Sequence, residues 1–324
     1  MLEVDPTILA KPEDDAYASS GYDTSTASLS SSIYQYVFEN GRRYHSYYGT
    51  DKYLLPIDEK EQDRLDLHHE IMRLIWHKEL HEAPLHQPHR ILDIGTGTGI
   101  WAVDMADQYP MAQVIGTDLS PIQPNWVPAN CQFQVDDAMM EWAFQSNSFD
   151  FIHARNLSSG VSSWDHLMSQ MKRCTKPGGY VELCEMEIKC HCNDGSMKPD
   201  HGMKVYVDYL RESLEKIGRP PVDGRFMTKL LEGAGFEDVR AVKANQPVGP
   251  WAKGAKVKQV GAMALLQSTE TIYESYGMAL FTRVLGMDQE KVQEICDAAR
   301  RDGRNKNYHV YCVYYRVYGR KPIA

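Results

Sequence analysis

Arg90-Ile91-Leu92-Asp93-Ile94-Gly95-Thr96-Gly97-Thr98-Gly99-Ile100-Trp101 carries most of the information about architecture. Residues 90–94 form a short, mostly apolar run closed around an acid, as a buried strand does. Three glycines follow on alternate positions, and Ile100 opens a stretch to Gln108 that reads as a helix. Glycine lets the backbone approach a ligand closely, so strand, glycine turn and helix together suggest a binding site. A nicotinamide fingerprint, G-x-G-x-x-G, fits poorly: counted from Gly95 the third glycine falls on Ile100, and from Gly97 on Ala102. The turn lacks the G-K-[ST] of a triphosphate loop. An acid before the turn repels a pyrophosphate and suits a ligand with an ammonium or sulfonium charge.

The alternation continues on both sides. Ala112–Thr117 reads as the next strand, completing a βαβ unit, and further strands are expected at 132–135, 149–154 and 180–188. Helical stretches fall at 164–173, 204–217 and 225–234, so a parallel sheet covered on both faces is implied. Two later strands, 236–242 and 308–318, flank a long helical insertion that includes 257–285 and 288–301, within about 250–303. Before the sheet, Asp58 with Glu61 resembles a capping box, and apolar residues at helical spacing predict a helix over 59–80. Residues 33–82 form a strap and cover helix; Tyr34, Tyr36, Phe38, Tyr44, Tyr47, Tyr48 and Tyr53 crowd the strap. Residues 1–32, rich in Ser, Thr, Asp and Ala, read as a disordered tail, and 83–324 as the main domain.

Two further strand ends add chemistry. Asp118 lies nineteen residues after Gly99, where a carboxylate can accept both hydroxyls of a ribose. Asp136-Asp137-Ala138 follows the next strand, where a carboxylate or backbone group can meet the exocyclic amine of adenine. A strand-end Asp is often only a helix cap, but the order and spacing of the three motifs point jointly to a nucleoside.

Composition narrows the partners. The 324 residues are 43% hydrophobic, near the soluble-globular norm, with 35 Lys and Arg against 44 Asp and Glu and a net charge of -9. That balance argues against nucleic acid as a partner. No apolar run is long enough to span a bilayer, and the N-terminus lacks a signal pattern, so the expectation is a cytoplasmic protein, or a nuclear one if it is regulatory. Seven scattered cysteines suit reduced thiols; Cys190-His191-Cys192 with His201 lacks a second pair at zinc-finger spacing, and no metal is expected.

With these motifs in hand, the chain resembles class I S-adenosylmethionine (SAM) methyltransferases, in particular the fungal LaeA-like group. The resemblance is carried by Asn40-Gly-Arg-Arg-Tyr-His45, Leu54-Leu-Pro-Ile-Asp-Glu59, Glu61-Gln-Asp-Arg-Leu-Asp-Leu67, Ile91 to Trp101, Thr117-Asp-Leu-Ser-Pro-Ile-Gln123 and Phe149-Asp-Phe-Ile-His-Ala-Arg-Asn-Leu157. It departs at Trp251-Ala252-Lys253 and at Thr175. It implies a Rossmann-like, doubly wound α/β mixed sheet with an N-terminal helical cover and a helical insertion before the last strand. It also implies SAM as cofactor, held by Tyr44, Asp93, Gly95, Thr96, Gly97, Thr98, Gly99, Asp118, Leu119, Asp136, Asp137, Ala138 and Arg155.

Methyl transfer is a single displacement that needs aligned reactants and excluded water. A hydroxyl acceptor needs a base, whereas a carboxylic acid is already ionised at pH 7. Catalytic candidates at the openings of the sheet are His153, Asn156, Glu185 and His191. The tyrosine strap has two compatible roles, packing and a lid facing the sulfonium. The expected acceptor is a small, bulky, apolar metabolite methylated at oxygen. The alternatives are a LaeA-type regulator working through protein partners and a cyclase on the same fold.

Overall fold

Five apolar strand segments with helices between them can bury both faces only as a parallel sheet, and the computed structural model shows this arrangement. It describes residues 36–49 and 52–323, which fall in one compact unit. The expected tail, residues 1–32, lies outside the described residues.

Strands β3 (Arg90–Ile94), β4 (Gln113–Asp118), β5 (Cys131–Val135), β6 (Phe149–Arg155) and β7 (Thr175–Met186) run parallel. The last strand, β9 (Tyr311–Arg320), inserts antiparallel between β7 and β8 (Glu237–Pro247), giving the order β5-β4-β3-β6-β7-β9-β8. The sheet is therefore mixed and doubly wound. Helix α2 (Ile100–Gln108) covers one face, where Trp101, Met105 and Ile91 are buried together; α3 (Trp164–Cys174) and α5 (Gly224–Gly233) cover the other.

The N-terminal cover is α1 (Glu59–Ile75). Asp58 caps it by accepting from the Glu61 N–H at 3.0 Å, but the Glu61 carboxylate does not close the expected box and holds Arg64 instead, at 2.7 Å. The helix stops short of the expected residue 80 because His77 and Lys78 take positive φ, 55° and 75°. Preceding it is a hairpin that the sequence reading did not anticipate, β1 (Tyr36–Glu39) and β2 (Arg42–His45), turned at Asn40-Gly41 with φ of 51° and 72°. Other boundaries shift by a few residues; β7 starts five residues early because Thr175 pairs with Phe149 across an irregular register.

The insertion forms α6 (Ala255–Gln267), α7 (Tyr273–Ala279) and α8 (Gln289–Gly303), which pack with α4 (Gly202–Lys216), a helix that precedes β8. α7 is bracketed by π-helical turns at Ser268–Ile272 and Leu280–Val284. Such turns add a residue to the helical repeat and re-aim the side chains that follow. α6 packs on α1, closing the cover over the open ends of β3 and β6.

Candidate active site

The ends of β3, β4, β5 and β6 border a cleft roofed by α1, Tyr53 and α7. It encloses about 1070 Å³, counting the solvent at its mouth.

Its floor is the glycine turn. Gly95, Gly97 and Gly99 have φ of 66°, 60° and 82°, conformations that side chains resist. The Gly97 N–H donates to Asp118 Oδ2 at 2.8 Å and the Ser120 N–H to Oδ1 at 3.0 Å, so β4 sets the turn through one carboxylate. Burial pushes the Asp118 carboxyl up to about 6, against the pull of these backbone donors. Thr98 Oγ1 donates to Asp66 on α1 at 2.6 Å, and Gln123 Nε2 to the Gly97 carbonyl at 2.6 Å. Leu119, Asp136, Asp137 and Ala138 line the next wall, where Lys52 of the strap pairs with Asp137 at 2.7 Å.

Asp93 borders the cleft with both oxygens engaged: Thr96 Oγ1 donates to Oδ2 at 2.7 Å and His153 Nδ1 lies 2.8 Å from Oδ1. The acid thus fixes the start of the turn. Arg155, at the end of β6, also lines the cleft; its Nη2 lies 3.2 Å from His69 Nδ1, and His69 Nε2 lies 2.9 Å from Asp104. Among the described residues it has no carboxylate within ion-pair distance.

The catalytic candidates separate. Asn156 lines the cleft, with φ 53°, and its Nδ2 donates to His68 Nε2 at 2.7 Å. His153 does not line it: the ring is buried, stacked on Trp101 with centroids 3.8 Å apart and planes nearly parallel. Glu185 sits behind the wall, its Oε1 accepting from the Leu157 and Ser158 N–H groups at 2.7 and 3.2 Å; burial pushes it up to about 7. His191 is remote from the lining, stacked on Tyr311 and bonded to Glu187 at 3.1 Å. Tyr44, expected at the cofactor, is also displaced: it is fully buried under the Arg283 guanidinium and does not line the cleft. Of the described strap tyrosines it is Tyr53 that reaches the cleft wall.

Among the lining residues to which the sequence reading gave no site role are Tyr53, Arg64, His68 and Tyr276. Arg64 and His68 are one helical turn apart on α1, a spacing that could have shown a shared face. Tyr276 carried no local signal, since its placement depends on how α7 docks.

A family model described as a methyltransferase domain matches residues 64–241. Over 302 residues the chain is 37% identical to methyltransferase pytC of Aspergillus terreus, covering 93% of this chain and 92% of that one. The chain belongs to the methyltransferase-domain family. Another relative of this methyltransferase is the secondary metabolism regulator laeA of Aspergillus fumigatus, 34% identical over 306 residues, 93% of this chain and 80% of that one. Phosphoethanolamine N-methyltransferase 2 of Haemonchus contortus, solved with SAM, superposes with a TM-score of 0.44 at 19% identity, over 85% of this chain and about half, 55%, of that chain.

The fold is that of a class I methyltransferase and its cofactor is SAM. The residues present fit that group. Gly97 turns its bare face to the cleft, Asp118 and Asp137 line it with carboxylates, and Arg155, half-buried, brings a cation to its wall.

Proposed function

We propose that this methyltransferase acts on a small-molecule acceptor of secondary metabolism and methylates it at oxygen. The carrying observation is that one cleft is lined both by the glycine turn with its carboxylates and by Tyr53, Leu157, Val161 and Tyr276. A chamber with rings and aliphatic side chains beside a nucleoside site suits an apolar molecule of modest size better than a protein segment.

In this reading Asp118 accepts the ribose hydroxyls, Asp137 or its neighbours the adenine amine, and Arg155 the methionine carboxylate. Bound SAM supplies a methyl carbon made electrophilic by its sulfonium. Leu157 packs over the turn, its Cδ1 2.6 Å from where a Gly95 side chain would begin, and helps exclude water. The strap is clasped to the nucleoside end by Lys52 on Asp137 and by His45 Nδ1, 3.2 Å from Ser120 Oγ. Alignment and water exclusion, rather than a covalent intermediate, are what these residues provide.

The regulator reading is supported by the laeA relatives. It separates from the first by experiment: purified protein incubated with SAM and an organic extract of the source organism should give a compound heavier by one methyl group. A methyl group appearing only on protein would replace this reading with the regulatory one.

A further inference from the structure

The two ends of the cleft are chemically opposite. Around the glycine turn the side chains are carboxylates: Asp93, Asp118, Asp136 and Asp137. Toward the strap and α7 they are proton donors. Arg64 is 5% exposed; its Nε and Nη2 both hold Glu61 Oε1, at 2.9 and 2.7 Å, and its Nη1 has no hydrogen bond to a described residue. Its guanidinium carbon stands 5.5 Å from the centre of the Tyr276 ring. Burial pushes the Tyr53 phenol well above its ordinary 10, and Tyr276 upward as well, so both keep their protons to donate.

Among the described lining residues no base is free at this end; Glu61 Oε2, buried and without a hydrogen-bond partner, lies outside the lining. His68, the imidazole in the described lining, accepts from Asn156 Nδ2 at Nε2. Burial, then Arg64 and Arg155, hold it well below its ordinary 6.5, so it is neutral and a weak base. Glu185, whose Oε1 takes two backbone N–H groups, stands behind the wall and does not line the cleft. A phenol or alcohol bound here would meet donors where it needs a proton acceptor. A carboxylate needs no base, and donors with a guanidinium are the groups that receive it.

We propose that the methyl acceptor is the carboxylate of an apolar acid, received by Arg64, Tyr53 and Tyr276, and that the product is its methyl ester. This rests on the small-molecule methyl transfer proposed above. A carboxylate oxygen forms the new bond to the methyl carbon, the carbon–sulfur bond breaks with its electron pair left on sulfur, and no proton moves. The anion and the sulfonium neutralise each other, which leaves a neutral ester and a neutral thioether.

The test uses the full chain, SAM with a radiolabelled methyl group, and an organic extract of the source organism. Labelled product is then treated with dilute alkali. Label released as volatile methanol is the expected result, because esters hydrolyse and ethers or methylamines do not. Alkali-stable labelled product overturns the carboxylate inference and leaves methyl transfer standing; no labelled product overturns both. Tyr276→Phe, which keeps the ring, is expected to raise KM for the acid roughly tenfold, the worth of one hydrogen bond to a charged group, with the SAM dissociation constant unchanged. An unchanged KM would remove Tyr276 from the acceptor site.

Discussion

Glu185 and His153 both end strands that open toward the cleft, yet neither faces it. Period-two alternation identifies a strand-end residue but not what stands behind it. The stacking of His153 on Trp101 and the hold of Glu185 on Leu157 and Ser158 are contacts between segments far apart in sequence, invisible to local pattern. Asp118 was legible because its partner, the glycine turn, lies within the same βαβ unit. Glu185 carries a consequence for stability. Unfolded, it ionises near its ordinary 4.5; folded, burial pushes it up to about 7. Between those values the folded protein keeps a proton that the unfolded chain has released, so stability falls as pH rises. At about 1.4 kcal/mol per pH unit the loss amounts to at most about 3 kcal/mol. Glu185→Gln cannot ionise and is expected to gain on the wild type, by roughly 1–3 kcal/mol between about pH 5 and pH 8 in urea unfolding. A difference that does not change with pH would show that the carboxylate is ionised throughout.

Among the elements, the glycine turn and the strap differ most in how plainly they were written. The turn's spacing was explicit, and the structure adds a distinction among its glycines. A Cβ at Gly99 would meet the Phe133 ring at 2.3 Å, whereas at Gly97 it would meet Leu65 Cδ1 at 3.4 Å, on the cleft side. Gly97→Val is therefore expected to keep the fold, with the strain of its φ of 60°, and to lose SAM binding; circular dichroism and SAM titration on one sample check both. The strap, by contrast, hid its hairpin. Asn40-Gly41 is the dipeptide that two-residue hairpin turns prefer, but the aromatic run around it does not alternate cleanly. The same packing corrects the role of Tyr44. Fully buried against Arg283, it supports the hairpin, so Tyr44→Ala should lower stability by about 3–5 kcal/mol, the range for large buried aromatics. Activity should fall in step with stability, while Tyr44→Phe keeps both. Loss of turnover in Tyr44→Phe with unchanged thermal unfolding would restore a direct role in the reaction.

For the molecule as a whole, alternating strands and helices showed the sheet, and the acidic strand ends pointed to residues that share one cleft. The acceptor compartment was not legible. It is assembled from α1, the strap and α7, and the π turns on either side of α7 help set which residue enters the cleft; Tyr276 reaches it only through how α7 docks. The central claim is that SAM occupies the cleft formed by Gly95–Gly99, Asp118, Asp137 and Arg155. Calorimetric titration of SAM into the wild type and into Asp118→Ala tests it most directly. One site per chain is predicted in the wild type, weakened in the variant by roughly 1–3 kcal/mol, or about tenfold to a hundredfold, as the ribose contacts and the Gly97 anchor are lost. Equal affinity in the two proteins, or no binding to either, would contradict the account.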